Sequence, residues 1–203
     1  LFYGCEHRMT TYTREQLLNM DGLEEVTQSS ACVYDGCFLN AHKDTVVLPN
    51  GRIAEREYLK HPGAVMVMPL FDNGDVLIER QYRYPLHNVF VEFPAGKKDE
   101  GEAPLITGQR ELLEETGYTA SEWLHVTDIH NAIAYCDEVI HFFIAKGLEK
   151  QHDGQLDDNE FLQVMRVPLA ELESWMRKGW VPDVKTQLGV FWLKDYLAQN
   201  ATV

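Results

Sequence analysis

The stretch from Gly96 to Tyr118 constrains this chain more than any other. Nine of its residues follow one pattern: Gly, five residues, Glu, seven residues, then Arg-Glu-apolar-x-Glu-Glu-x-Gly-apolar. From average residue frequencies, the chance of this pattern at a given start is on the order of 10⁻¹⁰. Pro104 near the first turn and Gly117 as a stop predict a helix over 104–116. The pattern therefore predicts a loop that leads into a helix with a fixed set of charged residues.

Three glutamates of this helix are spaced for metal binding. Glu111 and Glu115 are one turn apart and Glu114 is three residues from Glu111, so the carboxylates are expected on nearly one side. Leu105 and Leu112 are expected to form the buried stripe. Like charges at this spacing repel unless a cation lies between them, and clustered oxygen ligands suit Mg²⁺, with Mn²⁺ as the alternative. A solvated acidic face is the usual explanation of a glutamate-rich run, but the other pattern residues argue against it here.

The remaining charged residues of the pattern have structural interpretations. Arg110 can pair with Glu114 at i+4 and hold the carboxylates in place. Glu102 has two alternatives, a water-mediated metal contact or anchoring of the helix. Gly96 and Gly117 are expected to be structural.

The pattern resembles the signature of the Nudix hydrolases, which use divalent metal to cleave nucleoside diphosphates linked to another group. The resemblance implies an α/β fold, a Nudix-type α/β/α sandwich around a mixed sheet, here preceded by an N-terminal antiparallel sheet. It implies a metal site formed by the Ala95 carbonyl with Glu111, Glu114 and Glu115. The expected catalytic residues are Glu115, Glu114 and Glu138, because family members place the base in the signature or on a later loop. A polar turn into the next strand is the alternative for Glu138.

Further segments narrow the resemblance to the ADP-sugar (ADP-ribose) pyrophosphatase subgroup. They are Leu48–Gly51, Arg80–Pro85 and Val91–Gly96. The subgroup implies substrate-binding roles for three residues: Arg83 at a phosphate, Glu92 near the diphosphate or metal, and Arg56 from the N-terminal sheet. It also implies a homodimer formed through that sheet. A salt bridge without substrate contact is the alternative for Arg83.

One departure bears on the substrate. Subgroup members commonly have a proline about fifteen residues after the signature, whereas this chain has His130-Asn-Ala-Ile-Ala-Tyr135. We expect hydrolysis of ADP-ribose to AMP and ribose 5-phosphate. GDP-mannose or another nucleotide sugar is the alternative substrate. A non-catalytic nucleotide-sugar sensor is the alternative from another class, although such proteins usually lose the acidic residues that this chain keeps.

Hydrophobic periodicity and turns divide the 203 residues into three parts. Residues 1–21 are expected to be an N-terminal extension with a short helix, and residues 22–60 an antiparallel sheet for dimerisation. Asp35-Gly36 predicts a two-residue hairpin turn in that sheet. Residues 61–203 are the expected Nudix domain, in which His141 lies within an apolar strand and is typical of a packed histidine.

Composition excludes several function classes. The formal net charge of −14 argues against a nucleic-acid partner. No apolar run approaches the roughly 20 residues of a membrane span. The four cysteines show neither metal-site nor disulfide spacing, which predicts free thiols and a cytoplasmic location.

Overall fold

The computed structural model describes residues 12–154 and 161–200. Expectations for residues 1–11, including the Cys5 thiol, lie outside the described residues. The chain divides into two compact units, Leu1–Tyr58 and Leu59–Val203.

The first unit contains a short helix and a three-stranded sheet. Helix α1 is Arg14–Leu17, and strands β1 (Val26–Asp35), β2 (Asn40–Val47) and β3 (Ile53–Lys60) lie in the order β1-β2-β3. The predicted two-residue turn at Asp35-Gly36 is wrong, because the loop spans residues 36–39. The Gly36 N–H donates to the Leu39 carbonyl at 2.9 Å and Asn40 Nδ2 donates to Asp35 Oδ1 at 2.8 Å. These two bonds close a four-residue loop.

The described part of the second unit has two sheets, three α-helices and one turn of 3-10 helix at Tyr84–Leu86. The strands are β4 (Ala64–Pro69), β5 (Asp75–Arg83), β6 (Asn88–Glu92), β7 (Ala95–Lys97), β8 (Tyr118–Ile129), β9 (Ile140–Lys150) and β10 (Leu162–Pro168). The helices are α2 (Pro104–Thr116), α3 (Leu169–Arg177) and α4 (Val184–Asn200). One sheet has the order β7-β4-β9-β8, with β4 and β9 parallel, and the other has the order β10-β5-β6.

Strand β4 lies at the centre of the core and is buried on both faces, as its apolar run predicts. Val65 and Val67 pack with Leu112 of α2. On the other face, Met66 and Met68 join a cluster that includes residues of β5, α3 and α4. The mixed four-stranded sheet is thus enclosed by α2 on one face and by the second sheet and two helices on the other. The expected α/β sandwich is confirmed.

Several element bounds differ from the sequence prediction. The sequence does not predict strand β7, and the residues from Trp123 to Ile129 predict a later start for β8 than the observed Tyr118. Three residues are too few to show a period, and the first residues of β8 have little apolar alternation. Both segments are strands because they pair with neighbours: Gly96 with Val65 of β4, and Tyr118 with Lys150 of β9.

Candidate active site

Helix α2 places two acidic side chains against strand β7. Glu111 and Glu115 are buried, with 9% and 4% of each residue exposed. The Ala95 N–H donates to Oε2 of Glu115 at 3.2 Å. A Cβ on residue 96 would overlap the Glu111 carboxylate in its present position, so glycine lets this carboxylate lie directly against the backbone. The backbone φ of Gly96 does not lie in the left-handed region, so its conformation does not require glycine. The expected structural role of Gly96 is therefore steric.

The buried face of α2 differs from the sequence prediction in two respects. Glu114 does not share the environment of Glu111 and Glu115, because 48% of its side chain is exposed. Leu105 is 38% exposed, whereas Leu112 is fully buried. The helix approaches β4 through Gly108, whose position leaves little room beside Val65.

Arg110 connects the loop before α2 to the helix. Its Nη1 donates to Glu111 Oε1 at 2.8 Å and to Glu114 Oε2 at 3.1 Å, which is the predicted i+4 pair. Its Nε and Nη2 donate to the two oxygens of Glu102 at 3.1 and 3.0 Å. Nη2 also reaches the Lys97 carbonyl at 3.3 Å. The guanidinium thus fixes three carboxylates and the end of β7 relative to one another.

Glu102 anchors the start of the helix, one of its two predicted interpretations. Besides Arg110, its Oε2 accepts from the Thr107 hydroxyl at 2.9 Å and from the Asp99 N–H at 3.1 Å. These contacts, above all the hydrogen bonds from Arg110, lower the pKa of Glu102 to about 2. The carboxylate is therefore ionised throughout the neutral range. Gly117, the last glycine of the pattern, ends α2 with φ 73°, a left-handed conformation that suits glycine.

A second group of charges surrounds Glu92, whose side chain is only 3% exposed. Arg83 donates to it twice, from Nε at 2.7 Å and from Nη2 at 2.8 Å. Lys185 Nζ donates to Glu92 Oε2 at 3.2 Å and to Asp183 Oδ1 at 2.8 Å. The pKa of Arg83 is raised, chiefly by its hydrogen bonds to Glu92, and the nearby charge of Glu115 contributes. The predicted salt bridge of Arg83 is therefore present, with 40% of its side chain still exposed.

Glu138 lies in the loop before β9, and the start of β4 lies between this loop and β7. Ala64 of β4 pairs with Ile140 on one side and with Lys97 on the other. Adjacent strands are about 4.8 Å apart, so the loop joins β9 about 10 Å from the end of β7. The Glu138 carboxylate lies 3.5 Å from His61 Nδ1 and its side chain is 19% exposed.

Arg56 belongs to the first unit, where it forms an ion pair with Glu25. This pair raises the pKa of the guanidinium. The substrate-binding role expected for Arg56 stays a prediction.

The ligands where β7 contacts α2 fit a hard divalent cation. Two buried carboxylates on consecutive turns repel each other unless a positive charge compensates them. Arg110 supplies one such charge to Glu111. Backbone at residues 95–96 lies directly against both carboxylates, so a carbonyl oxygen can complete an all-oxygen site of the kind that Mg²⁺ prefers.

Comparison with known proteins identifies the family. Residues 60–187 match the family model of the NUDIX domain. The chain belongs to the Nudix family. In this Nudix protein, residues 25–59 also match the nucleoside diphosphate sugar hydrolase N-terminal domain.

Relatives of this Nudix protein cover most of its length. It is 38% identical over 176 residues to the ADP-ribose pyrophosphatase of Bacillus subtilis (strain 168). The aligned residues cover 86% of this chain and 95% of that protein. It is 36% identical over 172 residues to the methanol dehydrogenase activator of Bacillus methanolicus, covering 84% and 93%. A solved structure described as an ADP compounds hydrolase has a TM-score of 0.78 at 21% identity, over 89% of this chain and 97% of that one. The last similarity shows the fold.

Sequence reasoning missed two residues of the Glu92 group, Asp183 and Lys185. The charge of Lys185 is retained at 17% side-chain exposure because Asp183 and Glu92 lie on either side of it. Burial by itself lowers the pKa of Lys185, but these two charges outweigh it and the pKa is raised. The Phe93 N–H donates to the hydroxyl oxygen of Thr186 at 3.1 Å. The signal in the sequence is the Asp-x-Lys-Thr run at residues 183–186, where α4 begins.

No helix in the described parts of this Nudix protein is long and apolar enough to cross a membrane.

Proposed function

We propose that this Nudix protein hydrolyses the diphosphate bond of a nucleoside diphosphate sugar, with ADP-ribose as substrate and AMP and ribose 5-phosphate as products. The observation that supports this most is the contact between β7 and α2. Glu111 and Glu115 are buried beside the backbone of β7, where glycine at position 96 leaves room for the Glu111 carboxylate. Buried carboxylates beside backbone oxygens form a site for a cation that binds phosphate.

The cofactor in this proposal is Mg²⁺, with Mn²⁺ as the alternative. Glu111, Glu115 and the Ala95 carbonyl would hold it, and Glu114 would join from the exposed edge. When bound, the ion supplies charge neutralisation at phosphate oxygens and activation of water. Arg110 maintains the ligand geometry, since it contacts Glu111 and Glu114 through one nitrogen.

Arg83 is proposed to orient the diphosphate. Glu92 accepts from its Nε and Nη2, which fixes the plane of the guanidinium. The exposed 40% of the side chain leaves guanidinium surface for a phosphate oxygen. Glu92 and Lys185 then act by holding Arg83 in place. We also propose that Arg56 contacts the substrate, as the subgroup resemblance implies.

Glu138 is proposed as the group that removes the proton from the attacking water, with Glu114 and Glu115 as the alternatives. The support is its place in a loop beside the start of β4, whose other neighbour is β7. Glu138→Gln is expected to lower kcat about 10²-fold with little change in KM, because general-base catalysis contributes 10²- to 10⁴-fold. Glu149→Gln, at an exposed position of β9, is the control. An unchanged kcat in Glu138→Gln would assign the base to the signature helix.

The experiment that tests the reaction is a hydrolysis screen with Mg²⁺. ADP-ribose is compared with GDP-mannose, UDP-glucose, NADH and diadenosine polyphosphates, and the released phosphomonoesters are separated by chromatography. We expect preferential release of AMP from ADP-ribose, in accord with the name of the Bacillus subtilis relative. Preference for another nucleotide sugar would retain the chemistry and change the substrate. Tight binding without turnover would instead support a sensor.

We also propose a homodimer formed through the sheet of the first unit. All ten residues of β1 are exposed, and large apolar side chains on β1 and β3, such as Val26, Val33 and Ile53, are more than half exposed. Exposed apolar surface of this kind typically marks an interface. Light scattering during size-exclusion chromatography is expected to give twice the chain mass of 23.4 kDa. Ile53→Lys should shift this mass toward that of the single chain.

A cytoplasmic location completes the proposal. Cys32, Cys37 and Cys136 are free thiols, which persist in a reducing compartment. Cell fractionation followed by immunoblotting tests the location.

A further inference from the structure

Two histidines and an aspartate form a cluster on strands β8 and β9, outside the candidate active site. His125 Nε2 and His141 Nδ1 each lie 2.7 Å from the same oxygen, Oδ1 of Asp128. The ligand atoms of all three residues lie within 4.8 Å of one another. Within residues 12–154 and 161–200, this is the one group of three His, Cys, Asp or Glu side chains with that property.

A β-bulge brings the three side chains to one face of the sheet. In a regular strand His125 and Asp128 would face opposite sides, because side chains alternate and the residues are three apart. Here His125 pairs with Phe143, whereas Thr127 pairs with Phe142 and Asp128 with His141. Val126 is the extra residue of the bulge, and its insertion places the Asp128 side chain on the same face as that of His125. Bulges that redirect a side chain are frequent beside functional sites.

The cluster is accessible yet held in place. The side chains of His125 and Asp128 are 49% and 47% exposed, and that of His141 is 18% exposed. The His125 ring packs 5.3 Å from Phe143, centroid to centroid. The next pair along the strands, Ile129 with Ile140, is the last before the loop that contains Glu138.

We propose that His125, Asp128 and His141 bind a divalent transition-metal ion such as Zn²⁺, independently of the Mg²⁺ site on α2. Two imidazole nitrogens and one carboxylate oxygen are a ligand set that Zn²⁺ uses in proteins. Metal–ligand bonds of about 2.0–2.2 Å place ligand atoms roughly 3–3.5 Å apart. The two Asp128–histidine distances of 2.7 Å must therefore lengthen by less than about 1 Å, and the two histidine nitrogens must come to the same spacing from within 4.8 Å, which the exposed His125 side chain allows. Solvent completes the coordination, and the excess of acidic residues in the chain favours a cation. The bound ion ties β8 to β9 at the base of the Glu138 loop.

Titration calorimetry of the whole chain with Zn²⁺, in excess Mg²⁺ to occupy the carboxylate site, tests this proposal. We expect one Zn²⁺ equivalent whose affinity falls at least tenfold in His125→Ala and in His141→Ala. His87→Asn is the matched control, because His87 is an exposed histidine of the same unit whose left-handed backbone suits asparagine. It should leave the affinity unchanged.

Thermal unfolding gives a second measurement that is independent of activity. Zn²⁺ is expected to raise the Tm of the wild type and of His87→Asn, and not that of His125→Ala. Hydrolysis with Mg²⁺ should be the same in His125→Ala as in the wild type, so this proposal and the proposed function fail separately. If His141→Ala does not fold, His125→Ala decides the matter because its side chain is exposed. Equal Zn²⁺ affinity in the wild type and His125→Ala, or no Zn²⁺ binding to the wild type, would overturn the site.

Discussion

Gly96 lies so close to Glu111 that a Cβ on residue 96 would overlap the Glu111 carboxylate. Because residue 96 has no side chain, the Glu111 carboxylate can make this close approach to the backbone of β7. The proposed metal site depends on this approach, because the Ala95 carbonyl and the Glu111 carboxylate must reach the same ion.

Gly96→Ala is expected to lower hydrolysis of ADP-ribose about 10²-fold, the effect of a displacement of about 1 Å at reacting groups. The added methyl group should also lower the free energy of unfolding by about 1–3 kcal/mol. Steady-state kinetics and urea unfolding measure the two effects.

Gly74→Ala is the matched control for Gly96→Ala. Gly74 has φ 85° and nothing within 4 Å of its Cβ position, so the substitution costs about 1–2 kcal/mol of backbone strain and no packing. Its kcat should equal that of the wild type. Equal activity in Gly96→Ala would show that the close approach is not needed for the reaction.

Glu115→Gln is expected to reduce kcat about 10³-fold while the chain stays folded. The substitution removes a negative charge from a ligand of the proposed ion, an effect of about 4 kcal/mol on the transition state. The amide oxygen can still accept from the Ala95 N–H, so packing is retained. Glu122→Gln, which removes an exposed ion-pair partner of Lys146, is the control and should keep full activity. Full turnover in Glu115→Gln would refute the metal assignment.

Lys185→Met is expected to lower the free energy of unfolding by about 3 kcal/mol, because it leaves Glu92 and Asp183 with one fewer partner in a buried setting. Glu92→Gln in the same chain should recover about 1–2 kcal/mol, since it removes one of the uncompensated charges. Urea unfolding of the two single variants and the double variant measures this coupling. Strict additivity would show that Lys185 and Glu92 do not interact.

The lowered pKa of Glu102 makes the free energy of unfolding depend on pH. Its pKa is lowered from 4.5 to about 2 in the folded protein, so the carboxylate stabilises the fold fully above about pH 4.5. That contribution is lost as the pH falls from about 4.5 toward 2. The difference in unfolding free energy between the wild type and Glu102→Gln, measured with urea, should therefore shrink over this window. A difference that stays constant from pH 6 to pH 2.5 would contradict the assignment, and exposed Glu100→Gln provides the comparison.

Much of the fold and of the proposed site follows from local sequence. The apolar run at 64–70 predicts the buried strand, and the spacing of Arg110 and Glu114 predicts their ion pair, which the structure contains. The signature also places Glu111 and Glu115 one turn apart. These features depend on residues within a few positions of one another, for which strand and helix periods are sufficient.

Other features required the tertiary structure. The burial of Glu111 and Glu115, in contrast to Glu114, is set by the position of β7, a strand too short to show a period. Lys185 lies next to Glu92 although 93 residues separate them in the chain. The faces of His125 and Asp128 depend on a bulge in a strand pair.

The sequence by itself therefore determined the family, the acidic helix and the order of most elements, because local periods and a rare pattern encode them. Only the tertiary structure decided which carboxylates are buried, which cations compensate them and which histidines meet. Those outcomes depend on contacts between distant segments, whose formation is governed by packing and by the cost of leaving a buried charge unpaired.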